Sequence, residues 1–374
     1  MFVQSIDISR FRNLEDMHLE FAPGFNVFYG DNAQGKSNLL EAVYVLAFLK
    51  GFRADRIPDM IRFDQERAQL SAVVCDGNAQ TRLGMELTGR VRHAYIDGVP
   101  CNSVRSYLGI LRAILFVPMD VGFMQAPPAN RRSALDRMVF NLHPSYLVDL
   151  DQYQKVCKQK SAVLRSDTPD HALLDAYDEQ LLKYGERIIR FRYDYFNLMA
   201  PHICRVFASI FDDSLRCLPV YKCSQMRSEI VFGAGNTASC DDLVGVWRDY
   251  IRTSRDREIA RQQILAGPHR DDWSLNLDGR QAKLFASQGQ QRAMSLALKL
   301  AEIDCLKSEA GVEPVFLLDD VSSELDPVRN RKLFEHLNRI TVQTFLTTTS
   351  KQHLSIDCVN RLFMVKSGSI TCDA

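Results

Sequence analysis

The chain has 374 residues, enough to bury a large core in two or three domains. Its 46 lysines and arginines balance 46 aspartates and glutamates, which excludes a global field that would hold nucleic acid non-specifically. The apolar runs are too short and too interrupted to span a bilayer, and Met1-Phe2-Val3-Gln4-Ser5 opens into a strand pattern with no visible signal peptide, so a cytoplasmic chain without membrane attachment is expected.

Residues 1–125 read β-rich around one helix. Phe25-Asn26-Val27-Phe28-Tyr29 predicts a short buried strand, and the breaker-free run 39–46 predicts a helix. Between them, Gly30-Asp31-Asn32-Ala33-Gln34-Gly35-Lys36-Ser37 fits the phosphate-loop pattern G-x-x-x-x-G-K-[ST] at every fixed position, in the strand–loop–helix context that the motif requires. Successive backbone N–H groups there point at one locus, and the helix dipole favours negative charge. Gly30 and Gly35 allow backbone geometry that a Cβ would obstruct. Lys36 is expected to reach the β- and γ-phosphates of ATP. The Ser37 hydroxyl is expected to ligate Mg²⁺, which prefers oxygen ligands. Asp76-Gly77, Asp97-Gly98 and, later, Asp278-Gly279 are hairpin-turn signals.

Ala126-Pro127-Pro128-Ala129-Asn130 breaks the pattern, and residues 131 to about 211 read as mostly helical. Tyr146, Leu150, Tyr153 and Cys157 begin an apolar seam. A polar turn follows at 165–170, with Thr168 as N-cap and Pro169 at the first helical position. Leu174, Tyr177, Leu181, Tyr184, Ile188, Phe191, Tyr195 and Leu198 then alternate steps of three and four. Two helices joined by a short turn make an antiparallel hairpin, the second on the order of 40 Å long at about 1.5 Å per residue. Pro201 is expected to kink or end it. The stretch is either a bundle packed on the rest of the chain or a short arm. Residues 215–235 read as a strand pair, and 241–262 as a helix.

Ser287-Gln288-Gly289-Gln290 precedes an amphipathic run with Leu296, Leu300 and Ile303 on one face; alone, it is an N-capped helix. Val315-Phe316-Leu317-Leu318 predicts a buried strand ending in Asp319-Asp320. One carboxylate at a strand end beside a phosphate loop holds Mg²⁺, a role given to Asp319, and Asp320 is placed to polarise the attacking water as general base. Ser323-Glu324-Leu325-Asp326-Pro327 follows. Pro327 suits the first turn of a helix over 328–338, and Asp326 either caps that helix or faces a partner subunit.

In this order the strings resemble the RecF family, bacterial ATPases related to the SMC proteins within the ABC-type superfamily. The resemblance covers essentially the whole chain. It rests on Ile8-Ser9-Arg10-Phe11-Arg12-Asn13-Leu14, the phosphate loop extended by Asn38-Leu39-Leu40-Glu41-Ala42, Phe116-Val117-Pro118, and Arg131-Arg132 with Leu135-Asp136. Its most specific parts are Gly267-Pro268-His269-Arg270-Asp271-Asp272, Ala286-Ser287-Gln288-Gly289-Gln290-Gln291-Arg292 and Leu318-Asp319-Asp320-Val321-Ser322-Ser323-Glu324-Leu325-Asp326.

The resemblance implies an α/β fold, an ABC-type ATPase head with mixed sheets around a P-loop core. Residues 1–125 and 262–374 would form the head, and 126–261 an inserted helical arm resembling a short antiparallel coiled coil. It also implies that Ser287, Gly289 and Gln290 are a signature motif facing ATP bound by the other subunit, so that ATP joins a homodimer. The implied work is recombinational repair on double-stranded and gapped DNA, with RecO- and RecR-like partners. Three positions depart from the family pattern. Ala33 stands where glycine is common, which is tolerable if its φ is negative. Met119 replaces an acidic residue, so no water-positioning role is given to that loop. Thr347-Thr348-Thr349, expected to follow a strand over 342–346, stand where many ABC ATPases carry a switch histidine, and a threonine can hydrogen-bond the γ-phosphate but carries no charge.

DNA contact is expected from local arginine patches, because guanidinium groups match phosphate geometry. Candidates are Arg248, Arg252 and Arg255 at helical spacing, Arg187 and Arg190 with Arg192, and Arg53 with Arg56; interleaved acids make a salt-bridged solvated face the competing explanation. Two other functions fit the same head, a transporter-type ATPase subunit and an ATP-dependent nuclease. The nuclease would need a metal cluster, for which Asp271-Asp272 and Asp212-Asp213 lack further acids nearby. Ten cysteines include no C-x-x-C pair and read as small buried residues.

Overall fold

The computed structural model describes residues 1–53, 56–226, 229–235, 239–320, 327–349 and 359–373. The chain forms two compact units, Met1–Val121 with Glu302–Ala374, and Gly122–Ala301.

The first stretch of chain begins with β1 (Phe2–Ser9), β2 (Met17–Glu20) and β3 (Phe25–Tyr29), followed by α1 (Lys36–Phe48). Then come β4 (Arg67–Asp76), β5 (Ala79–Thr88), β6 (Val91–Ile96), β7 (Val99–Pro100), the one-turn α2 (Val104–Tyr107) and β8 (Ala113–Phe116). An antiparallel sheet has the order β2-β1-β4-β5-β6-β7. Asp97 and Gly98, both at positive φ, make the two-residue turn between β6 and β7.

The second unit opens with α3 (Pro128–Leu142), α4 (Tyr146–Leu164) and α5 (His171–Ile210). The pairs Asp149–Arg187 and Lys160–Asp178 show α4 and α5 to be antiparallel. Asp170, rather than Thr168, caps α5, its side chain accepting from the Leu173 N–H. Pro201 does not end α5. The helix runs 40 residues, about 60 Å, because its last turns bury Ile203, Val206, Phe207 and Ile210. That burial outweighs the hydrogen bond the proline removes.

Half of the predicted seam holds. Leu174, Leu181, Ile188 and Tyr195 are buried, but the alternating partners are Asp178, Gly185, Arg192 and Met199, each one position past the expected aromatic or leucine. Two of these are charged and lie inside because they have ion-pair partners, which an apolar pattern cannot reveal. Gly185 admits the Trp247 ring, which a Cβ would meet at 2.8 Å.

β9 (Cys217–Lys222) and β10 (Ile230–Val231) follow, then α6 (Cys240–Thr253) and α7 (Arg255–Arg261), with α6 packed on α5. β11 (Asp272–Leu277) and β12 (Arg280–Gln281) complete a four-stranded sheet, β10-β9-β11-β12, which gives the 215–235 strand pair its place. Residues 262–301 thus fall in the second unit, since β11 pairs with β9 along its whole length. The unit closes with α8 (Ala282–Phe285), and α9 (Gln288–Ala310) carries the chain back to the first.

β13 (Val315–Leu318), α10 (Pro327–Ile340), β14 (Thr344–Thr348), β15 (Val359–Lys366) and β16 (Ser369–Asp373) finish the first unit. Its second sheet has the order β16-β15-β3-β14-β13-β8, parallel except for the β15–β16 hairpin. Buried on almost all sides, α1 packs on β4 and β5 of the antiparallel sheet and on β13 and β14 of the parallel one. Phe28 of β3 stacks on Phe345 and Phe363 in the same core. Thr347 and Thr348 lie within β14 and do not follow it. Ser322, Ser323, Glu324, Leu325 and Asp326 lie outside the described residues; α10 starts at Pro327.

Candidate nucleotide site

The phosphate loop is shaped by close approaches on both sides. Gly30 has φ 153°, and a Cβ there would lie 2.2 Å from the Val365 carbonyl oxygen of β15. Gly35 has φ 117° and caps α1 without a side-chain hydrogen bond; no acid stands in the first helical turn. The positive end of α1 is therefore left for an external anion. The turn after β15 braces the loop, with Gly368 N–H donating to the Gln34 carbonyl at 2.9 Å and Ser367 N–H to Gln34 Oε1 at 2.5 Å. Ala33 has φ 64°, opposite in sign to the expectation. The loop's curvature requires a left-handed residue there, at a cost of about 1–2 kcal/mol for a residue bearing a Cβ.

The Lys36 ammonium donates to the carbonyls of Gly30 (2.6 Å) and Asp31 (2.7 Å). Burial lowers its pKa, opposed by the charges of Asp320, Asp319 and Asp31. The Ser37 hydroxyl donates to Asp319 Oδ1 at 2.8 Å, across 282 residues of sequence. The acidic strand end and the phosphate loop are therefore in contact. Thr347 Oγ1 donates to the same Asp319 oxygen at 2.6 Å and accepts from the Asp320 N–H at 2.9 Å. Thr347 is thus a buried partner of the Asp319 carboxylate and the Asp320 backbone, inside the strand. A cavity of about 300 Å³ opens above these groups, lined by Lys36, Ser37, Arg53, Asp319, Asp320 and Thr347, with Asn32, Ala33, Gly35, Asn38 and Pro118.

Arg53, expected in a DNA patch, instead approaches Asp319 Oδ2 at 3.4 Å. Buried Glu41 of α1 receives Arg12 at 2.7 Å and the Arg53 N–H at 2.9 Å, tying the 10–14 loop and the segment after α1 to the same helix. Arg12 and Glu41 both stand in segments that carry the family resemblance. Nothing in their spacing joins them.

In the second unit, Ser287 Oγ accepts from the Gln290 N–H at 3.2 Å, and Gln290 Oε1 accepts from the Ser287 N–H at 2.9 Å. This reciprocal capping box leaves Ser287, Gln288 and Gly289 exposed at the start of α9.

A family model, the RecF/RecN/SMC N-terminal domain, matches residues 2–371. DNA replication and repair protein RecF of Geobacillus sp. (strain WCH70) is 33% identical, with 100% of each chain covered. That of Streptococcus equi subsp. zooepidemicus (strain MGCS10565) is also 33% identical, over 100% of this chain and 99% of that one. The chain belongs to the RecF family. Its fold is similar to the solved structure of the recombination mediator protein RecF-ATP in the RecFOR pathway, with a TM-score of 0.88, 29% identity and coverage of 100% and 98% of the two chains. An SMC head bound to the C-winged helix domain of ScpA shares the fold at a TM-score of 0.58 and 13% identity. With the phosphate loop in contact with the acidic strand end, the chain is an ABC-type ATPase.

The family string 267–272 has another job. Asp271 accepts from the Tyr221 hydroxyl, the Ser224 N–H and the Ser224 hydroxyl, and Asp272 pairs with Arg131. His269 bonds the Tyr153 hydroxyl at 2.8 Å, and burial, helped by the charges of Arg270 and Arg132, pushes its pKa down to about 3. These groups knit α3, α4, β9 and β11 together, and their oxygens are already taken by protein donors. Asp212 accepts from the hydroxyl and N–H of its own neighbour Ser214. Among the described residues no group of three or more His, Cys, Asp or Glu side chains could hold a metal ion, and no helix is long and apolar enough to cross a membrane.

Of the eight candidate arginines, Arg53 and five others have carboxylate partners. Arg187 pairs with Asp149 (3.1 Å), Arg190 with Asp241 (2.8 Å), Arg248 with Glu186 (2.6 Å) and Arg255 with Asp175 (2.7 Å). Buried Arg192 is held by Asp136, Tyr146 and the Pro268 carbonyl.

Proposed function

We propose that the chain is an ATP-dependent DNA-repair protein in which ATP joins two copies around duplex DNA near a single-strand gap and hydrolysis releases them. The observation that carries this reading is the contact of Ser37 with Asp319, which completes one side of a nucleotide site; in the other unit, the capped and exposed Ser287 segment suits a phosphate presented by another copy.

In this reading Gly30, Asp31, Asn32, Ala33, Gln34 and Gly35 cradle the phosphates, and Lys36 exchanges its carbonyl partners for phosphate oxygens. The Ser37 and Asp319 oxygens are hard donors side by side, which fits Mg²⁺. That ion, when bound, neutralises charge on the phosphates. Asp320 takes the proton of the attacking water. Ser287, Gly289 and Gln290 meet the γ-phosphate from the second copy. Arg252 and Arg56, both exposed and without an ion pair among the described residues, are the candidate arginines left to meet a DNA phosphate. The 122–301 unit serves as the inserted helical arm, and the RecFOR setting of the ATP-bound relative supports RecO- and RecR-like partners.

The test is turnover against protein concentration. A site shared between copies gives turnover per chain that rises steeply with concentration, and Ser287→Arg binds ATP as a monomer but does not dimerise. Constant turnover per chain from nanomolar to micromolar protein refutes the shared site.

A further inference from the structure

We propose that Thr347 is a positioning residue for hydrolysis, its one hydroxyl fixing the side chain of Asp319 and the backbone of Asp320 together. This rests on the roles proposed above for those two carboxylates.

β14 lies between β3 and β13, so its C-terminal end sits between the phosphate loop and the acidic strand end. The last β13–β14 pair is Leu318 with Leu346, and Thr347 is the next residue, level with Phe28 of β3. Its side chain is fully buried. The direction of its hydrogen bonds is unambiguous. A backbone N–H only donates, so the hydroxyl accepts from Asp320 and must give its single proton to Asp319 Oδ1. That proton fixes the rotamer in which the same oxygen also faces Ser37.

The bond to Asp320 governs geometry. In an extended strand, successive side chains point to opposite faces, so Asp319 and Asp320 would not border one cavity. Both do line it here, and Asp320 has φ 46°. This left-handed residue turns the chain so that the second carboxylate joins the first. A non-glycine residue resists that conformation, and the Thr347 oxygen stabilises it by accepting the Asp320 N–H. Ser37, Asp319, Thr347 and Asp320 thus form one chain of hydrogen bonds running from phosphate loop to proposed base.

The experiment compares Thr347→Val, which keeps shape and loses the hydroxyl, with Thr347→Ser, which keeps the hydroxyl. ATP affinity in EDTA, the Mg²⁺ concentration for half-maximal hydrolysis, kcat and KM are measured on the full chain. Loss of a group that orients a metal ligand lowers kcat or metal affinity by about 10- to 100-fold. Thr347→Val is expected to fall in that range with a raised Mg²⁺ requirement, while its ATP affinity in EDTA stays within about twofold and Thr347→Ser recovers to within about threefold of wild type. If Thr347→Val binds no ATP in EDTA because it does not fold, Thr347→Ala is read by the same criteria. Wild-type kcat and Mg²⁺ dependence in the hydroxyl-less variant overturn the proposal, as does a Thr347→Ser variant as slow as Thr347→Val. Unchanged hydrolysis in Asp320→Asn instead refutes the base assignment alone, because the Mg²⁺ shift of Thr347→Val reads Asp319.

Discussion

The glycine-led strings 30–37 and 267–272 look alike in sequence, each mixing small residues with charge, yet they place that charge in opposite settings. In the first, Lys36 has only backbone carbonyls as hydrogen-bond acceptors among the described residues, and it borders an open cavity together with Asp319 and Asp320. In the second, Asp271, Asp272 and His269 each have side-chain partners, and Asp271 is deeply buried and His269 half-buried. A charge bonded to backbone carbonyls beside a cavity can exchange them for a ligand; a charge enclosed by side-chain partners holds elements together. The difference supports the chemistry proposed for one string and an architectural part for the other.

The largest expected effect separates the two directly. Asp320→Asn should lower turnover by about 10²- to 10⁴-fold, the usual contribution of general base catalysis, with ATP affinity retained. Asp271→Asn should leave turnover per folded chain unchanged. Burial already raises the Asp271 pKa, so its cost falls on stability through the altered bonds to Tyr221 and Ser224. Comparable losses of turnover in single-turnover assays of both variants would break the distinction.

Next in size is Arg192→Met. It removes a buried guanidinium from Asp136, Tyr146 and the Pro268 carbonyl. Breaking one side of a buried pair costs about 3–5 kcal/mol, which denaturant titration should show as a lower midpoint. ATP affinity of the folded protein should not move. A drop in affinity without a drop in stability would place Arg192 in the nucleotide machinery.

The two strings were also unequally legible. The phosphate loop announces itself because fixed glycines, a lysine and a serine sit at fixed offsets between a strand and a helix, all within local sequence. Asp319 was equally plain as the end of an apolar run. The Arg192 network was not, because its partners Asp136, Tyr146 and Pro268 are tens of residues away and a buried arginine contradicts the apolar seam that the helical spacing suggested. Arg53 was misplaced for a related reason. Proximity to Arg56 in sequence says nothing of the fold that brings it to Asp319. Ala33 shows a different limit, since a residue type constrains φ only statistically and a loop closed by contacts elsewhere can impose the rarer sign.

Gly368→Ala sharpens the comparison from outside the motif. The Cβ would lie 2.0 Å from the Asn13 carbonyl oxygen at φ 85°, in the turn that braces Gln34. Forcing that turn to move is expected to weaken ATP binding by about tenfold, near 1.4 kcal/mol, within the usual range for backbone strain at a special φ. Gly245→Ala, in α6 with open space around it, should instead stabilise its helix by about 1 kcal/mol and leave ATP binding alone. Equal ATP affinities for the two variants, by isothermal titration, would show that the turn does not shape the loop.

Ala33→Gly has the smallest expected effect and tests the loop from within. Its left-handed φ costs about 1–2 kcal/mol with a Cβ and nothing with glycine. Against that, glycine loses about 0.5–1 kcal/mol more backbone entropy on folding. The residue is exposed, so little packing is lost. The two terms leave a net gain of about 0.5 kcal/mol, measurable by denaturant titration of the ATP-free protein. ATP binding in EDTA should be unchanged, because the loop is already held in its curved form by Ser367 and Gly368. A loss of about 1 kcal/mol or more would mean that the Ala33 methyl makes contacts that offset its strain. Stability unchanged with tighter ATP binding would mean that the strain is relieved only when phosphate is bound, making the loop a part that adjusts on binding.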